Sequence, residues 1–155
     1  MSAAIQVPNV AALKDLAGTD LGTSDWMVVG QERIDEFARA TGDDQWIHVD
    51  VRRAASESPF GGTVAHGYLT MSLASALLPE LLVVEKCSQV VNYGIDKLRL
   101  REPVPAGAKL RLGGEIKHVR EIRGGACRVT LALRWEVEGA RRPVCLADVV
   151  FVYFP

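Results

Sequence analysis

A carboxylate and an imidazole lie close together in the segment Thr41-Gly42-Asp43-Asp44-Gln45-Trp46-Ile47-His48-Val49-Asp50. An imidazole titrates near neutral pH and a carboxylate can accept a proton, so Asp43 and His48, five residues apart, could share one water and move its protons. Addition of water to a double bond, or its removal, needs that pairing. A second segment, Phe60-Gly61-Gly62-Thr63-Val64-Ala65-His66-Gly67-Tyr68, is a glycine-rich loop running into an apolar stretch. Free backbone N–H groups at such a junction could hold a developing oxyanion, and Gly67 would let a ligand approach the backbone closely. Spacing alone also allows bland roles. Asp43 could cap a loop, His48 could be a partly buried polar side chain, and the glycines could serve close packing. His66 reads as structural, His118 as a strand surface residue and Asp44 as a solvated neighbour of Asp43.

The elements that must position these residues follow from periodicity. Gln31 to Ala40 is an amphipathic helix with Ile34, Phe37 and Ala38 on one face, and Gly42 stands where a C-cap glycine would end it. The Asp43–His48 segment therefore begins where a helix stops and the chain turns back. Asp50 reads as the N-cap of a short helix, Val51 to Ala55. Val10 to Leu16 reads as a short helix, and Trp26 to Val29 as a short strand. The longest helical pattern runs from His66 or Gly67 to Leu82. It is apolar nearly all round, so other structure should wrap it. Four strand-like runs follow, roughly Cys87 to Leu100, Ala108 to Glu121, Ala126 to Glu138 and Pro143 to Phe154, with turns at Arg123-Gly124-Gly125 and Glu138-Gly139-Ala140. One apolar helix followed by an antiparallel meander predicts an α+β domain whose sheet curls around the helix, the hot-dog arrangement.

Length and charge agree. The chain has 155 residues, 48% apolar and 24% charged, with a formal net charge of −1. This suits one domain, residues 1–155, with a short N-terminal extension over about 1–20. The charge balance argues against nucleic acid or an anionic membrane as the main partner. Residues 1–17 lack the apolar core of a signal peptide, and no segment approaches the roughly 20 apolar residues of a membrane span. A cytoplasmic location is expected. Cys87, Cys127 and Cys145 fit no disulfide or zinc spacing and read as buried free thiols.

Thr41-Gly42-Asp43, then Ile47-His48, Asp50 and Ala54-Ala55, resemble the motif of the MaoC-like hydratases. Ala65-His66-Gly67 resembles that family's second signature, which opens its central helix. Gln45-Trp46 departs from the commoner Asn-Pro spacer. Together with Val91-Asn92-Tyr93-Gly94, Lys97 and Arg99, it looks like the branch of nodulation-protein-N-like proteins and (R)-specific hydratases that feed polyhydroxyalkanoate synthesis. The likeness runs from about Leu21 to Phe154. It implies a hydro-lyase in which Asp43 and His48 activate water and Gly67 N–H holds the thioester oxygen. The reaction would be reversible syn hydration of a trans-2-enoyl thioester, on coenzyme A or acyl-carrier protein, to the (R)-3-hydroxyacyl thioester. No metal and no organic cofactor is expected, and the likeness implies a homodimer joined sheet edge to sheet edge. Trp46, Asn92 and Tyr93 are possible substrate-binding residues. Lys97, Arg99 and Arg101 would meet coenzyme A phosphates or line a solvated strand face. A hot-dog thioesterase or a non-catalytic acyl-thioester-binding partner subunit are the competing readings.

Overall fold

The computed structural model describes residues 3–155. Its main sheet has six strands. They are β2 (Asp20–Thr23), β3 (Met27–Val29), β5 (Gln89–Leu100), β6 (Ala108–Glu121), β7 (Cys127–Val137) and β8 (Cys145–Phe154). The order is β2-β6-β7-β8-β5, with β3 also pairing β6, and every pairing is antiparallel. Alternation along β7 sends Cys127, Val129, Leu131, Leu133 and Trp135 into the core and leaves Arg128, Thr130, Ala132 and Arg134 on the outer face. The last three strands begin within two residues of their sequence-based limits, and Gly124 and Gly125 take left-handed φ of 75° and 74° at the β6–β7 turn.

The central helix differs from the single run expected over 66–82. Helix α4 (Gly67–Ser72) breaks at Leu73, helix α5 (Ala74–Leu77) follows, and a tight turn over Leu78–Glu80 ends it. At the break Leu73 N–H bonds back toward both Leu69 and Met71 carbonyls. Pro79 brings no N–H to the final turn and restricts Leu78. Leu82, where the helix was expected to end, instead opens strand β4 (Leu82–Val84), paired parallel to β1 (Ile5–Val7). Leu69, Leu73, Leu77 and Leu81, spaced by four, pack into the concave side of the sheet. Each such side chain stabilises the fold by about 1.5–3 kcal/mol. The opposite flank, with Tyr68, Ser72, Ser75, Ala76 and Pro79, is exposed, so the sheet of one chain wraps one side of the helix.

Residues of the N-terminal segment pack against this core. Val7, Val10 and Leu13 are buried, and the 3-10 helix Val10–Leu16 lies against the sheet. Asn9 caps that helix through Oδ1, which accepts from Ala12 N–H at 3.0 Å. Among the described residues no helix is long and apolar enough to cross a membrane. Cys127 and Cys145 are buried free thiols; Cys87 is half-buried in the bend before β5. Burial raises the pKa of Cys127 and pushes that of Cys145 up to about 11. Thiolate is the reactive form, so an aromatic disulfide reagent at neutral pH is expected to titrate one thiol, Cys87, in the folded protein and all three in denaturant. Rapid native reaction of two or three would contradict this packing.

Candidate active site

Helix α1 (Gln31–Thr41) buries Ile34 and Ala38 and stops at Gly42, whose φ of 78° lets its N–H reach back to Ala38 O at 2.8 Å. Asp43 follows in the exposed link. Helix α2 (Trp46–Val49) is a single turn that carries His48 inward. Helix α3 (Val51–Glu57) begins at Asp50, whose Oδ1 accepts from Arg53 N–H at 2.9 Å, the cap expected from sequence. The left-handed stop and the one-turn helix fold the chain back on itself, so residues 43 and 48 share a site.

The loop before α4 clamps this reversal. Val64 N–H donates to Ile47 O at 3.1 Å, and His48 Nδ1 lies 2.6 Å from Val64 O. A carbonyl only accepts, so His48 Nδ1 is the donor in this contact, which leaves Nε2 as the nitrogen free to face the site. Gln31, at the start of α1, holds the other side. Its Nε2 donates to His48 O at 2.7 Å and to Asp35 Oδ1 at 2.8 Å, and its Oε1 accepts from Thr63 Oγ1 at 2.5 Å. Nothing in the sequence marks Gln31 or Thr63, since the partners that tie them to the site, His48 O and each other, are distant in sequence. One carboxylate oxygen of Asp43 and one ring nitrogen each of His48 and His66 all lie within 4.8 Å of one another. These three donors are the group that proximity alone would offer to an ion. His66 is buried, its ring is stacked on that of His48 with centroids 3.9 Å apart, and its Nε2 lies 2.9 Å from the backbone oxygen of Asp43.

Gly67 opens α4 directly after His66. Its N–H belongs to the first turn and has no partner within the helix. A methyl at this position would come within 2.5 Å of Leu100 Cδ1, the far end of an exposed side chain on β5 that would have to turn aside. Because α4 has only 6 residues, the helix dipole expected from a long helix contributes little, and the donor is the N–H itself. The chain shows the pattern of the family described as MaoC like domain over residues 13–135.

The chain belongs to the MaoC-like dehydratase family. It is similar to 3-hydroxyacyl-thioester dehydratase Z of Mycobacterium tuberculosis, at 40% identity over 94% of this chain and 95% of that one. It is also similar to nodulation protein N of Rhizobium leguminosarum bv. viciae, at 39% identity over 93% of this chain and 90% of that one. Among solved structures, R-hydratase PhaJ1 from Pseudomonas aeruginosa superposes with a TM-score of 0.70 at 21% identity, covering 96% of this chain and 88% of that one, and so shares the hot-dog fold.

Other residues singled out in this MaoC-like chain fall elsewhere. Trp46 is half-buried with the Arg53 guanidinium 4.3 Å from its ring centre. Asn92 lines a groove of about 380 Å³ between the exposed flank of α5 and the ends of β5 and β8, with Ser75, Leu78, Val90, Phe151 and Tyr153. Tyr93 is exposed on β5, with the Arg128 guanidinium 4.8 Å from its ring centre. None of Asp43, Trp46, His48 and Gly67 lines that groove. Lys97 and Lys117 both pair with Asp148 on the sheet's outer face, at 3.7 and 2.8 Å. Arg99 and Arg101 are exposed, as is His118.

Proposed function

We propose that this protein is an (R)-specific enoyl-thioester hydratase that adds water reversibly to a trans-2-enoyl-CoA or its acyl-carrier-protein equivalent. The convergence of the Asp43 carboxylate on His48, whose Nδ1 is turned to Val64 O, carries the reading. Water held between the two side chains attacks C3 and passes a proton to the pair. Electron density moves from the C2–C3 double bond to the thioester oxygen, where Gly67 N–H donates to the enolate. A proton returned from the pair to C2 on the same face completes syn addition. The two groups act on one water as a coupled unit.

The chemistry needs no metal ion. His48 Nδ1 and His66 Nε2 already donate to backbone carbonyls, and the two rings lie at 26° to each other. In-plane lone pairs of nearly parallel rings run side by side rather than converging on one ion, unlike a tetrahedral site. The testing experiment is incubation with crotonyl-CoA and longer trans-2-enoyl-CoAs and chiral analysis of the product. (R)-3-hydroxyacyl-CoA supports the reading. Free coenzyme A without that product would make the protein a thioesterase, and no turnover would make it a binding subunit.

We further propose a homodimer through β5. This strand is a sheet edge of 12 residues, exposed along most of its length, and Val90, Val91, Tyr93, Ile95 and Leu100 stand open on it. A long apolar edge of this kind calls for a covering partner. A two-fold interface sets a patch against its own copy, so Val91→Glu with Ile95→Glu would bring like charges together. Light scattering is expected to give a dimer for wild type and a monomer for the double variant. A wild-type monomer at micromolar concentration would refute the dimer.

A further inference from the structure

His66 does more than fill space. Its ring sits between Phe37 of α1, at 4.8 Å between centroids and tilted, and His48 of α2, stacked at 3.9 Å. It is 2% exposed. Its Nε2 must be the protonated nitrogen, because its partner, Asp43 O, only accepts. Its Nδ1 is buried with no hydrogen-bond partner among the described residues. Leaving a ring nitrogen bare in the interior is a cost that Phe or Leu at this position would avoid. What histidine adds over Phe is the single N–H to Asp43 O.

That bond matters because the Asp43 side chain has no other anchor. Its carboxylate takes no hydrogen bond among the described residues, and its N–H makes only a long contact, 3.4 Å, to Thr41 Oγ1. Gly42, just before it, ends α1 in a left-handed turn, so Asp43 lies outside the helix. The place of the carboxylate is therefore set by its backbone, and His66 grips that backbone while its face rests on His48. One ring thus spans both members of the pair.

We infer that His66 is a positioning residue that sets the distance between the Asp43 carboxylate and His48 Nε2. It touches neither the water nor the thioester and acts through Asp43. This rests on the hydratase reading for its kinetic consequence but not for its geometry.

The test uses the full-length protein and two readouts. The first is independent of activity. Nitrogen-15 correlation spectra of the imidazoles are expected to show His66 as the Nε2–H tautomer and His48 as the Nδ1–H tautomer. An Nδ1–H tautomer for His66 would overturn the inference even in a protein without turnover. The second is kinetic. His66→Phe keeps a flat ring against His48 but loses the N–H, and should lower kcat on crotonyl-CoA about 10- to 100-fold with KM within about twofold. His66→Gln, whose amide nitrogen can occupy the Nε2 position, should recover part of that loss. In an Asp43→Asn background His66→Phe should cost little more, because the carboxylate it positions is already gone. Full multiplication of the two losses, or wild-type kcat in folded His66→Phe, would reduce His66 to a packing residue. If His66→Phe folds poorly, the wild-type tautomer and the Gln variant decide. If wild type hydrates nothing, the hydratase reading falls while the tautomer result still decides the geometry.

Discussion

Asp43→Asn and His48→Asn are each expected to lower hydration of crotonyl-CoA by about 100-fold or more, with little change in melting temperature. Asp43 is exposed and its carboxylate is not used by any described residue, so the amide removes proton transfer and nothing structural. At position 48 the choice of Asn follows from the geometry. Its amide nitrogen can stand where Nδ1 stands and keep the bond to Val64 O, while the position of Nε2 is left empty. Each change therefore isolates a chemical loss from a folding loss. Because the proposed mechanism has both groups act on one water, the double variant should be little slower than the poorer single one. The measurement is loss of enoyl-thioester absorbance, with thermal melting as the control. A folded Asp43→Asn protein at near wild-type rate would move the active site elsewhere.

The closeness of Asp43 and His48 was legible because its signals are local. A left-handed glycine after an amphipathic helix, then an Asp and a His five residues apart, describe a reversal that closes on itself. The same holds for Asp50 and for β6 to β8, where turn glycines and alternating side chains mark the limits. What the sequence concealed is carried by long-range or backbone contacts. The pairing of β1 with β4 joins Ile5 to Leu82, and three-residue strands show no period to read. Leu82–Val84 carries two β-branched valines, but at three residues straight after a helical pattern it becomes readable as strand only through its partner β1. The break at Leu73 likewise follows from packing rather than from a glycine or proline at that position. Gln31, Thr63 and the carbonyls of Asp43 and Val64 hold the site through groups that every sequence contains. His66 could be seen as a motif residue, but its partner is a main-chain oxygen 23 positions away, which no spacing encodes.

Stability should depend most on a residue far from this chemistry. Trp135→Ala is expected to cost about 3–5 kcal/mol, whereas Trp135→Phe should cost about 1 kcal/mol or less. Trp135 is fully buried on β7, opposite Leu112 of β6 and Cys145 of β8, and is the largest side chain in the core. Its backbone oxygen accepts from Val144 N–H at 2.8 Å, which either substitution keeps. Its indole Nε1–H, however, has no partner among the described residues. Alanine forfeits the ring and leaves a cavity in a sheet flanked on both sides, where neighbours cannot collapse inward. Phenylalanine gives up part of the buried area but also removes the unpaired donor, whose burial costs about 1–3 kcal/mol, so the two changes offset. Urea unfolding with an unchanged slope checks the difference, since only the midpoint should move. Equal destabilisation by Ala and Phe would mean that the indole N–H is bonded after all, for example to an enclosed water. Turnover per folded molecule should be the same in both variants as in wild type. The Asp43–His48 pair is held by α1, α2 and the loop at 63–66, none of which takes its position from β7.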